Sequence, residues 1–155
     1  MNTTQFPGPD RVVLWLVAAT TLLGIGHHVD HVVRGNHVGW PLTPEVTAFT
    51  ISFVFYPLVL AGLVLDRRGR VGAGYWALVT VAGTLLVGLT HFGPLAVEPA
   101  ADVIHPHQHR AVGLFAYGWL VAFVGTLGTT AAYAGQQWYR NRTDTPAEVS
   151  PVDRP

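Results

Sequence analysis

Cysteine is absent from this 155-residue chain, and so is lysine. The first absence excludes disulfides, thiolate metal sites and cysteine nucleophiles together. The second leaves arginine as the whole fixed positive side-chain charge, which reads as a coding bias of a GC-rich genome. Charge of either sign is scarce. Asp, Glu, Lys and Arg make up 12% of the residues and sum to zero, against about a quarter in an average soluble domain. There is no basic block to track a phosphate backbone, so nucleic acid is excluded as a partner. What the chain has instead is apolar surface: half the residues are hydrophobic and mean hydropathy is +0.34. The length allows one domain.

A helix needs about 20 mostly apolar residues to cross a bilayer. Four stretches meet that requirement: 12–33, 46–65, 71–92 and 107–133. Spans two and three carry no charge, which a soluble helix could not afford on its solvent face. The expected fold is therefore all-α, an integral membrane four-helix bundle over residues 1–138. The polar segment 139–155, with prolines at 146, 151 and 155, is expected to be a disordered cytoplasmic tail. The first span is short enough in its purely apolar part to suggest a signal peptide. No small-x-small cleavage site follows it, and its helical pattern continues through His31, so a retained helix is expected. Pro57 falls mid-span in the second helix and should kink it, freeing the carbonyl of Phe53. Trp40, Tyr75, Trp76, Trp138 and Tyr139 lie near the expected interfaces and read as anchoring aromatics.

Orientation follows from arginine. Arg11, Arg67, Arg68, Arg70, Arg140, Arg142 and Arg154 fall on one side, and only Arg34 and Arg110 on the other. Cytoplasmic ends carry the positive excess, so both termini and the 66–70 turn are expected on the cytoplasmic side of the cell membrane. The loops 34–45 and 93–106 are then outside.

Against that topology the eight histidines are all on the extracytoplasmic side: His27, His28, His31, His37, His91, His105, His107 and His109. Asp30, Glu45, Glu98 and Asp102 accompany them. His27 and His28 stand about 25 Å along the first helix and His91 about 30 Å along the third. Ionisable groups at such depth face the bundle interior and mark function. His27 and His31 are i,i+4 and His28 and His31 are i,i+3, so imidazoles share a helical face. His105 and His109 form another i,i+4 pair if the turn around Pro106 is helical. Imidazoles and carboxylates without thiolate suit zinc, copper or iron. The metal candidates are His27, His28, His31, His91, His105, His107 and His109. Of these, His28, His31, His91 and His109 are expected to be the inner set, with His37 a bystander. Asp30, Glu45, Glu98 and Asp102 are candidates for orienting ligands or moving protons.

An offset of 63 residues aligns Thr21 with Thr84, the following leucine pairs, and His28 with His91. It suggests two repeated helical hairpins. His28 and His91 would then face one another, with Gly24 and Gly88 beside them leaving room for a flat group, as a bis-histidine b-type haem requires. Three function classes follow: a metal-binding membrane protein (metalloenzyme or metal handler), a haem b electron carrier, and an accessory subunit without cofactor. The partner in every case is the lipid bilayer, with a homo-oligomer or larger membrane complex as a further expectation. A transporter is disfavoured, because no charged relay continues into the inner half of the spans.

Overall fold

The computed structural model describes residues 8–34, 46–94 and 96–144. Its regular structure there is entirely helical: α1 (Arg11–Arg34), α2 (Ala48–Ser52), α3 (Phe55–Arg67), α4 (Ala73–His91), α5 (Ala100–Ile104) and α6 (Arg110–Thr143). Taking α2 and α3 together as Ala48–Arg67, four helices are long and apolar enough to cross a membrane.

Each helix begins and ends for a local reason. The Asp10 carboxylate accepts the Val13 N–H at 2.9 Å, capping orphan donors at the start of α1. The other oxygen accepts from the Tyr133 hydroxyl of α6, which ties the two helices at that end. Thr47 and Thr50 cap α2 reciprocally. The α2–α3 break falls at 53–54, just ahead of Pro57. Proline donates no N–H, and the Phe53 carbonyl instead accepts from Tyr56 N at 3.2 Å, so the expected kink is resolved as a tight turn. At the end of α3, Gly69 takes φ +63°. Gly69 N bonds Asp66 O and Arg70 N bonds Leu65 O, the paired closure that a left-handed residue permits after a helix.

The core lies among α1, α4 and α6. Buried positions on α1 are Val13, Val17, Thr20, Gly24, His27, His31 and Arg34, and on α6 Gly113, Ala116, Leu120, Phe123, Leu127, Thr130 and Ala134. Both alternate steps of four and three, the spacing of a seam between long helices. Close approach is enforced by glycine: a Cβ on Gly26 would meet the Trp119 ring at 2.6 Å, and that ring donates to the Leu23 carbonyl at 2.8 Å. By contrast α3 packs against α4 and not closely against α1.

Several expectations need correction. The fourth helix starts at Arg110, not 107, and runs to Thr143, so residues 139–143 are helical where a disordered tail was expected. Arginines at 140 and 142 favour the negative end of the helix, and the Arg142 guanidinium lies 4.6 Å over the Trp138 ring. The loop 93–106 contains α5, whose existence the sequence did not signal. Trp76 is fully buried with Val13, Val17 and Ala134 and is a core residue, not an interfacial anchor. Trp40, His37, Glu45 and the tail beyond residue 144 lie outside the described residues.

Candidate metal centre

The buried seam of α1 passes through Gly24 and reaches His27, His31 and Arg34 at successive steps of three, four and three. His91 ends the buried face of α4. One ligand atom from each of His27, His31 and His91 can be chosen so that all lie within 4.8 Å of one another, and all three residues are buried. The Nε2 atoms of His27 and His31 are 3.2 Å apart, close to the roughly 3.3 Å edge of a tetrahedron with metal–nitrogen bonds of about 2.05 Å. The His27 ring stands edge-on to both partners, with centroids 4.6 Å from His31 and 5.0 Å from His91.

Tautomer is set by the loop after α4. Gly93, at φ +95°, turns the chain back so that Glu98 N donates to Thr90 O at 2.9 Å. The Glu98 carbonyl lies 2.9 Å from His91 Nδ1. A carbonyl only accepts, so Nδ1 carries the proton and Nε2 presents a lone pair, the arrangement that orients a metal-binding imidazole.

The Glu98 side chain is itself almost wholly buried. Its Oε2 lies 3.4 Å from His31 Nε2 and 3.5 Å from His91 Nδ1, and its Oε1 takes a short charge-assisted bond from Arg34 Nη1. Burial pushes the Glu98 carboxyl up from its ordinary range, while the Arg34 guanidinium pulls it back. Arg34 is the hub: Nε donates to Asp30 Oδ2 at 2.9 Å and Nη1 also reaches the Asp102 carbonyl at 2.8 Å. Asp30 Oδ1 in turn lies 3.1 Å from His107 Nε2. Asp30 and Glu98, two carboxylates, thus face one guanidinium, a balance that favours an added cation when both are ionised.

The expected site residues divide clearly. His27, His31, His91 and Glu98 come together, and Asp30, Asp102 and His107 join through Arg34. His105 and His109 are exposed and flank a non-helical turn, with His109 as the extended residue that caps α6; they do not form the i,i+4 pair. His28 turns to α2 and α3. Its Nε2 is 2.7 Å from Ser52 Oγ, and its Nδ1 is 2.6 Å from Tyr56 Oη and 2.9 Å from the Gly24 carbonyl. With both nitrogens engaged and the ring stacked on Phe53 at 4.7 Å, His28 does not pair with His91 as a haem would require. Gly24 does not leave room for a flat group either, because a Cβ there would meet Phe123 at 3.1 Å. Arg34 is a site residue that the sequence marks only for topology, apart from its spacing, four residues after Asp30 and seven after His27. Comparison with protein families, curated proteins and solved structures finds no match for this chain.

Proposed function

We propose that this chain is a multi-pass membrane protein that holds one transition-metal ion between His27, His31 and His91, near the extracytoplasmic face. The observation that carries the reading is the convergence of three buried imidazoles within 4.8 Å. Each neutral imidazole has one N–H and one lone pair; with its proton held outside the group, as the Glu98 carbonyl holds that of His91, each turns a lone pair inward, and a cation satisfies all three. The donor set suits zinc, copper or iron. Three protein ligands leave a coordination position for water or substrate, as in catalytic sites, and Glu98 is the carboxylate at its edge. Arg34, Asp30 and His107 position that carboxylate. Support for the sidedness is the placement of Arg11, Arg67, Arg68, Arg70, Arg140 and Arg142 at the opposite ends of the same helices.

Elemental analysis and an optical spectrum of detergent-purified protein test the reading. About one equivalent of zinc, copper or iron per chain is expected, without a Soret band, and its loss in His27→Ala. A Soret band, or unchanged metal content in His27→Ala, overturns it.

A further inference from the structure

The three histidines and Glu98 line one end of a cavity of about 560 Å³ that continues down the bundle between α1, α2–α3 and α4, within the size range of small-molecule sites. Along α4 its lining runs from His91 to Trp76, a depth of about 22 Å at the helical rise. Below the histidines the wall is apolar in effect. Thr21, Thr80 and Thr90 each return their hydroxyl to the carbonyl four residues earlier and so offer their methyl groups. Phe55, Val59, Val79, Leu86 and Leu127 complete the surface. Polar chemistry is concentrated at the upper end, where Ser52 and Tyr56 hold His28 beside the metal ligands. Lower down, the Thr20 hydroxyl pairs with Thr130, and the Trp76 indole N–H is buried without a hydrogen-bond partner among the described residues. Because α3 does not pack closely on α1, the cavity lies along a seam between two helices that each carry exposed apolar residues.

We propose that the cavity binds a single-chain amphiphile from the bilayer, its oxygen-bearing head at the metal and its hydrocarbon tail lying down the cavity. The shape sets this choice: a deep, largely apolar space suits a hydrocarbon chain, and metal ligands gathered at one end suit one head. An oxygen donor, whether carboxylate or quinol hydroxyl, matches the open coordination position. The inference rests on the metal reading for its head-group contact and on the cavity alone for its tail.

The test is equilibrium binding of labelled palmitate and, separately, of decylubiquinol to delipidated protein in detergent, with zinc loaded and its stoichiometry measured. Saturable binding of either near one per chain is expected, and the one that binds identifies the head. Val59→Trp and Thr21→Trp fill the cavity from α3 and α1 below the ligands. Each should weaken binding about tenfold or more while zinc stoichiometry stays at the wild-type value, which reports an intact fold. Absence of saturable binding, or equal affinity in both zinc-retaining variants, overturns the proposal, as does a two-chain phospholipid or a second copy of the chain in the cavity. Zinc retained without amphiphile binding removes this inference and leaves the metal reading; amphiphile binding without zinc removes the metal reading and the head-group contact with it, and leaves the tail in the cavity.

Discussion

His91 owes its bare Nε2 to a single backbone carbonyl, that of Glu98, so the loop after α4 prepares a ligand carried by a helix. Residues that touch the ion and residues that arrange it should therefore separate on titration. His31→Ala and His91→Ala are expected to lower metal affinity by more than about 100-fold, because even orienting partners of a ligand are worth about 10–100-fold. Glu98→Gln should fall within that smaller range. It keeps the shape but leaves the buried Arg34 guanidinium with Asp30 as its remaining carboxylate partner among the contacts described. Arg34→Ala takes the guanidinium away from the buried Glu98 carboxylate, and should cost roughly 3–5 kcal/mol of stability. His28→Ala, His105→Ala and His109→Ala should retain the metal. Competition with a chromophoric chelator reads the affinities, and thermal unfolding in detergent reads the Arg34 variant. Metal loss in His28→Ala equal to that in His91→Ala would return the haem pairing to consideration.

At the scale of helices, the four apolar spans were legible because composition alone identifies them, and the i,i+4 relation of His27 and His31 was legible from spacing. The choice between His27 and His28 was not. It depends on which face of α1 is buried, and that face is declared by the seam Val13, Val17, Thr20, Gly24, whose next step is His27. An almost uniformly apolar helix hides this register, since lipid-facing and core-facing positions carry the same residue types. Existence of α5 was hidden too, because a five-residue helix is made by its packing. Gly113 records that packing: a Cβ there would run into the Ile104 backbone carbonyl. Gly113→Ala must displace α5, which begins two residues after Glu98, and overpacking of this kind costs about 1–3 kcal/mol. Both thermal stability and metal affinity should drop. Gly118→Ala, on the same helix with nothing within 4 Å of its added Cβ, should change neither; equal effects of the two would remove the claimed contact.

For the whole molecule the deciding quantity is which side of the membrane the centre faces. At one end, the Asp10 backbone N–H donates to Gln137 Oε1 and Tyr133 donates to the Asp10 carboxylate, and a Cβ on Gly8 would lie 3.5 Å from Asp66. The start of α1, the α3–α4 turn and the last turns of α6 are thus gathered there, with their arginines. His27, His31, His91 and Glu98 are gathered at the other. An amide network that is closed at one end and a charged site at the other cannot be exchanged by local rearrangement, so one measurement orients the entire chain. The absence of cysteine makes that measurement clean, since an introduced thiol is the only one present. Arg68 in the α3–α4 turn and Ala101 on α5 are both exposed. A membrane-impermeant maleimide applied to intact cells should label Ala101→Cys and should label Arg68→Cys only after permeabilisation, as the arginine distribution requires. Labelling of Arg68→Cys alone in intact cells would invert the topology. The metal centre would then open to the cytoplasm, and a metal supplied from outside could not reach it without crossing the membrane first.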